Sequence, residues 1–258
     1  MSNSGRRMNH RNTLKLALTV LVVGMGCSSQ KRIAPRPLVD RSQQLVVVTT
    51  PSWSSTTGSV RRFERSSPDE GWRALDQPGP IVVGRTGLAW GVGFDGVSRE
   101  GPHKREGDGK SPAGIFPLDT LFGFAPPDSI QGLKLPYVQL LPTTDCVDDT
   151  ASAHYNTVVD RASTTQVDWK SAEHMREVGQ YAVGVIVGYN APRPIKGRGS
   201  CIFLHIWAGP ASHTAGCTAF PEAKVRAIMG WLDAAKRPLL VQLTANQYAE
   251  LRMRWKLP

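Results

Sequence analysis

The sequence predicts a mainly β domain, sandwich or barrel-like, with two or three helices, and three observations predict it. The 25 Gly and 19 Pro among 258 residues are many for the length and favour a turn-rich sheet protein over a helical bundle. Short apolar runs rich in Val, Ile and Leu recur between Gly, Pro and Ser breaks, whereas helix-period patterns are few. A hydrophobic content of 40% against 20% charged residues belongs to a globular chain, and the length suffices for one good-sized core.

Taken in order, the chain opens on a leader. Arg6, Arg7, Arg11 and Lys15 precede an apolar run of eleven residues, Leu16 to Gly26, the charged and hydrophobic regions of a secretory signal. Such a run is too short to span a bilayer as a helix. Cys27 follows within Val23-Gly24-Met25-Gly26-Cys27-Ser28, which resembles a bacterial lipoprotein cleavage site and makes Cys27 a candidate for lipidation and membrane attachment. An ordinary signal peptide cut near Gly26 is the alternative. Residues 1–27 therefore read as a signal, and the mature protein is expected in the periplasm or cell envelope, as an outer-membrane lipoprotein if Cys27 carries lipid.

Residues 28–44 have no periodic pattern and read as a flexible tether, and 45–258 as a single domain with no internal repeat. Strands are expected at Leu45–Val48, Val60–Arg65, Ile81–Val83, Leu88–Trp90, Val183–Val187, the run ending near Trp207, and Leu239–Leu243. Asp168 reads as the cap of a helix through Ala172, Met175 and Val178 to Gly179. Pro221 suits a first helical position, followed by Val225, Ile228, Met229 and Leu232 at helix spacing until Pro238. Thr244 and Gln247 resemble a capping box opening a last helix.

The chemistry concentrates in one segment. Phe203 to Trp207 alternate as a strand, with Ile202, Leu204 and Ile206 on one face and Phe203, His205 and Trp207 on the other. A Gly/Pro/Ser loop then leads to Gly216-Cys217 ahead of a helix. A thiolate nucleophile needs a base and hydrogen-bond donors where an oxyanion develops, and His205 with the Gly216 and Cys217 amides fits those roles. A packed core histidine is the plainer reading of His205. His213, four residues before Cys217, is a rival base in an exposed loop. Trp207, Ser212, His213 and Thr214 are candidate substrate contacts, Trp207 equally a packing residue. No second Cys/His pair completes a zinc pattern, so no metal is expected.

With Cys27 in the leader and Cys217 as nucleophile, Cys146 and Cys201 remain as a pair in an oxidising compartment. A bridge would close a loop of about 56 residues, contribute about 4 kcal/mol in the chain-entropy model, and brace the His205 strand. Two buried free thiols are the alternative. Asp148, Asp149, Asp160 and Asp168 name no paired acid and base. Tyr155-Asn156 and Tyr189-Asn190 either line a groove or cap turns. The Glu106–Gly114 stretch lacks the order of a phosphate loop, and Pro112 removes a backbone donor, so a wide turn is the better reading.

The formal charge is +10; removing the leader's four basic residues leaves +6, a field that suits an anionic partner such as cell wall or a membrane surface. Nucleic acid is not expected, since the basic residues form no patch interleaved with aromatics.

Two motifs together resemble the L,D-transpeptidase catalytic domain, the YkuD-type fold of bacterial cell-wall enzymes. One is Thr214-Ala215-Gly216-Cys217 with His205 upstream; the other is Glu106-Gly107-Asp108-Gly109-Lys110-Ser111-Pro112-Ala113-Gly114-Ile115-Phe116, similar to that family's Thr-Pro-x-Gly-x-Phe element. The resemblance covers roughly residues 80 to 243. It implies a cysteine acyltransferase acting on peptidoglycan stem peptides through a thioester, with no cofactor. The chain departs from the pattern at Ala215, where His is usual, and at Thr218-Ala219, where an aliphatic residue and Arg are usual. It thereby resembles a divergent Gly-Cys-x-Ala branch in which some members hydrolyse. A wall amidase or peptidase of the same fold, and a silent peptidoglycan-binding lipoprotein, are the alternatives.

Overall fold

Residues 38–93 and 100–258 are described by the structure, a computed structural model. In chain order the strands are β1 (Gln44–Thr50), β2 (Thr57–Glu64), β3 (Arg73–Ala74), β4 (Gly79–Val82), β5 (Leu88–Trp90), β6 (Ser111–Gly123), β7 (Tyr137–Gln139), β8 (Thr144–Val147), β9 (Val158–Asp160), β10 (Ala172–His174), β11 (Val183–Val187), β12 (Phe203–Ile206), β13 (Thr218–Phe220) and β14 (Leu239–Thr244). Helix α1 is Glu222–Trp231 and α2 is Ala245–Leu251.

Eight strands close on themselves in the order β1-β14-β6-β11-β12-β13-β4-β2, because β1 pairs both with β14 in parallel and with β2 antiparallel. Closure pairs each of these eight strands on both sides. The expected mainly β, barrel-like architecture with few helices is thus present. Inward-facing Val46, Val48, Leu121, Val185, Leu204 and Leu240 belong to one cluster, to which α1 adds Val225, Ile228 and Met229. Burial of these apolar side chains is the main stabilising contribution, at about 25 cal/mol for each Å² removed from water.

A second, three-stranded sheet, β10-β8-β9, stands apart from the barrel ladder. It shares a smaller apolar cluster, Phe122, Leu140, Cys146, Met175, Tyr181, Cys201, Phe203 and Cys217, with the outer faces of β6 and β12. The period-2 split read from the sequence explains the arrangement: Ile202 and Leu204 face the main core, while Phe203 faces the small sheet. The disulfide between Cys146 of β8 and Cys201, two residues ahead of β12, joins the two layers with Cα atoms 5.9 Å apart.

Three expectations need correction. The stretch from Asp168 to Gly179 is not an α-helix: Ala172–His174 pair with β8, and two short 3-10 turns follow. Asp168 is occupied elsewhere, accepting hydrogen bonds from the Ser152 hydroxyl and the Ala153 N–H, so it caps nothing. The tether does not extend to residue 44, because Val39, Ser42 and Gln44 are buried. There the buried Arg65 guanidinium donates to the Val39 and Ser42 carbonyls, and the Gln44 amide to the carbonyl of Trp231. Finally, the wide turn at Glu106–Gly114 ends earlier than expected, since Ser111 onwards is already β6.

Two boundaries are finer than the sequence suggested. Pro221 is the N-cap of α1, one position before the first helical residue. Thr244 caps α2 by accepting the Gln247 N–H, but among the described residues the side-chain Oε1 of Gln247 has no partner, so only one arm of the capping box is formed. The leader, Cys27 and the tether up to residue 37 lie outside the described residues. Among the described residues no helix is long and apolar enough to cross a membrane.

Candidate active site

Cys217 ends the loop between β12 and β13 and lines a cavity of about 480 Å³ between the barrel wall and the small sheet. Its carbonyl oxygen accepts from two hydroxyls, Ser111 Oγ at 2.7 Å and Thr214 Oγ1 at 2.6 Å. Ser111 Oγ also accepts the Gly84 N–H at 2.9 Å, and Thr214 pairs with the same strand end, donating its N–H to the Val83 carbonyl and accepting the Arg85 N–H. Gly84 must lack a side chain, because a Cβ there would lie 2.2 Å from the Gly109 carbonyl oxygen. The two motifs that carry the sequence resemblance therefore meet at Cys217, although loops and strands separate them along the chain.

The thiol itself is buried. Its sulfur accepts the Phe203 N–H at 3.3 Å and donates to the Cys201 carbonyl at 3.4 Å. Burial, and after it the charge of Glu173, push the thiol's pKa well up; the Phe203 N–H, the Tyr181 hydroxyl and Lys104 pull the other way. The Gly216 N–H is spent on Thr214 Oγ1 at 3.2 Å. Among the described residues the Cys217 N–H has no such partner, so it, and not Gly216, is the amide left for an oxyanion.

His205 sits on β12 beside Ala219 of β13 and lines the same cavity. Its Nδ1 donates to the Ile206 carbonyl at 2.7 Å, which fixes the tautomer and leaves Nε2 as the ring's lone pair. Burial pushes its pKa down to about 4, against a smaller opposing contribution from the Ile206 carbonyl. No hydrogen bond joins His205 to Cys217 among the described residues; the structure places both on one cavity wall without linking them.

Tyr181 does link the site. Its ring meets the His205 ring edge-on at 5.0 Å and the Phe203 ring at 5.4 Å, and its hydroxyl donates to Glu173 Oε2 at 2.6 Å. Glu173 lies on β10 opposite Cys146, and burial, opposed by the Tyr181 bond and reinforced by Asp148 and Glu106, pushes its pKa up to about 7. Neither Tyr181 nor Glu173 was expected from the sequence. Both fell in or beside the stretch read as a helix, and the signal that finds them is the pairing of β10 with the disulfide-bearing strand.

Of the other candidates, Trp207, Ser212 and His213 line the cavity with Thr214. The hydroxyl of Ser212 closes a turn on the Gly209 carbonyl at 2.6 Å, and that of Thr214 is committed to Cys217. Arg85, Lys104, Glu106 and Asp148 give the cavity charges of both signs. Glu106 accepts from the Tyr155 hydroxyl and from Ser200 Oγ. The two Tyr-Asn pairs brace loops: Asn156 donates to the Tyr189 and Asn190 carbonyls and accepts the Cys201 N–H, while Asn190 donates to Ile195 and Gly199. Among the described residues no group of three or more His, Cys, Asp or Glu is gathered to hold a metal ion.

No family model, no curated protein and no solved structure matches this chain.

Proposed function

We propose that this protein is an exported cysteine acyltransferase of the L,D-transpeptidase kind, acting on peptidoglycan stem peptides. The observation that carries the reading is the convergence of the two motifs, Ser111 and Thr214 together holding the carbonyl of Cys217 at the edge of a cavity. In this reading the Cys217 thiolate attacks a peptide carbonyl next to a D-residue. The oxyanion forms at the Cys217 N–H, and collapse breaks the C–N bond, the leaving nitrogen taking up the proton that Cys217 gave up on becoming the thiolate, and leaves a thioester. His205 Nε2 then takes the proton of the incoming amine of a second stem peptide as that nitrogen attacks the thioester, and returns it to the Cys217 sulfur as the C–S bond breaks. A stem peptide carries carboxylates and an amine, and the cavity offers Arg85 for the former and Glu106 and Asp148 for the latter.

Hydrolysis by the same nucleophile is favoured by one observation. Ala219 lines the cavity where the resembled family keeps an arginine, and the Thr218 hydroxyl turns away to Gln242 at 2.6 Å. Mass spectrometry of muropeptide tetrapeptides incubated with the protein, alongside Cys217→Ala, separates the outcomes. Dimers lacking a terminal alanine, formed only with Cys217, support transpeptidation. Shortened monomers move the protein to the hydrolases. Unchanged tetrapeptides with folded protein overturn the enzymatic reading in favour of a silent wall-binding module.

A further inference from the structure

Tyr181 has one hydroxyl proton and two neighbours that compete for it. In the arrangement described, that proton belongs to Glu173 Oε2 at 2.6 Å, and the Cys217 thiol turns its own proton to the Cys201 carbonyl at 3.4 Å. Tyr181 and Cys217 share one apolar cluster and line the same cavity, and Tyr181 is among the influences that favour the thiolate. A thiolate beside an ionised Glu173 would place two negative charges in one largely buried cavity and leave one proton for two acceptors.

We propose that the reactive form of the site is the Cys217 thiolate facing a protonated Glu173, with Tyr181 as the hydroxyl shared between them. Tyr181 is then a catalytic residue, and Glu173 a positioning residue that acts through it. The proton balance is closed within the site. The S–H bond of Cys217 breaks as an O–H bond forms on Tyr181, and the former O–H bond of Tyr181 breaks as one forms on Glu173. No net charge is added to the cavity, and the new tyrosine O–H points at the sulfur. The inference rests on Cys217 being the nucleophile, not on the identity of the wall substrate.

Three observations support it. His205 makes no hydrogen bond to the thiol among the described residues, its Nδ1 proton being held by the Ile206 carbonyl. Burial brings Glu173 into the range where it takes up a proton at neutral pH. Both ends of the relay are fixed to one bridge, Glu173 opposite Cys146 in the β8–β10 ladder and the thiol on the carbonyl of Cys201. The titratable and charged groups bearing on Glu173 are Tyr181, Asp148 and Glu106, with Cys217, His205 and Lys104 lining the same cavity.

The test is the rate of iodoacetamide alkylation of Cys217 against pH in the folded full-length protein. In the wild type the rate climbs, levels near neutral pH as Glu173 ionises, and climbs again in alkali. Glu173→Gln, which still accepts the tyrosine O–H but carries no charge, climbs without levelling, its midpoint lower by roughly one pH unit. Tyr181→Phe keeps the ring packing and loses the donor, so its midpoint moves the opposite way. His205→Gln keeps the levelling. Shifts of the same sign in Glu173→Gln and Tyr181→Phe, or superimposable wild-type and Glu173→Gln profiles, overturn the inference. Should either variant not fold, the wild-type profile decides: a single smooth climb overturns the inference, and a pause near neutral pH supports it. A native thiol inert at every pH overturns the nucleophile itself, and this inference with it.

Discussion

Ser111 Oγ donates to the carbonyl oxygen of Cys217 at 2.7 Å, across 106 residues of sequence. Ser111 Oγ in turn accepts the Gly84 N–H, so one small hydroxyl ties the start of β6, the end of the β4 segment and the Cys217 loop together. Local backbone geometry at the buried thiol is held here by a side chain from a distant strand. The predictions below follow from such ties.

Ser111→Ala leaves the Gly84 N–H without its acceptor and should cost about 1–3 kcal/mol. Thr214→Val should cost less, because Thr214 is only half-buried. The double variant should exceed the sum of the two, by about 0.5–3 kcal/mol, since only then does the Cys217 carbonyl lose both hydroxyl donors. Urea unfolding of the four proteins in the cycle measures the coupling.

Gln242 is fully buried in β14 and joins two strands by its side chain, accepting from Thr218 Oγ1 at 2.6 Å and donating to the Pro112 carbonyl at 2.8 Å. Gln242→Leu strands a hydroxyl and a carbonyl inside the barrel and should destabilise by about 2–4 kcal/mol. A thermal melt should fall accordingly. A Thr218→Val change added to it should recover part of the loss by removing one of the stranded groups.

Glu173 provides a pH signature of stability. Its ordinary value of 4.5 is raised to about 7 in the folded protein, so folding favours the protonated form, and this contribution is lost as pH rises from about 4.5 through 7. Glu173→Gln has no such loss. Its stability relative to wild type should rise across that window by about 1–3 kcal/mol, allowing for water at the cavity mouth, and stay level outside it. His205 acts in the opposite sense: held near 4 against an ordinary 6.5, it costs stability as pH falls from 6.5 toward 4. It does so in both proteins and cancels in the comparison. Chemical denaturation at a series of pH values reads the difference directly.

Reduction of the Cys146–Cys201 bridge should lower stability by about 2–5 kcal/mol, the usual effect of opening a native disulfide. It should also release Glu173 from its register opposite Cys146, so the pause in the alkylation profile should vanish before the barrel unfolds. Circular dichroism alongside alkylation in a Cys146→Ser/Cys201→Ser protein separates the two effects.

Much of the barrel was legible because its strands are unbroken apolar runs. Leu45–Val48, Val183–Val187 and Leu239–Leu243 all lie in observed strands. Strand β6 was partly hidden by Pro112, Gly114 and Pro117, residues that interrupt an apolar pattern yet fit here, Pro112 beside Ala89 and Pro117 beside Leu239. The small sheet was not legible, because polar side chains organise it. The buried Asp145 carboxylate accepts from Arg161, from His174 Nδ1 at 2.8 Å and from Trp169 Nε1 at 3.0 Å, and no periodicity announces such a hub. At the site, Cys217, His205 and the Ser111 motif were visible as local patterns. Glu173 was not, since its place depends on a strand pairing that only the fold creates.

The bridge between β8 and the approach to β12 also bears on how the protein matures. Cys146, Cys201 and Cys217 share one apolar cluster, and an oxidising compartment offers each of them either of the other two as a partner. Pairing that consumes Cys217 removes the free thiol from the cavity and releases one side of the small sheet in the same event. Matching Cys146 with Cys201 is what keeps Cys217 as the free thiol at the cavity, so under the proposed function a mis-oxidised molecule would be inactive from the moment it forms.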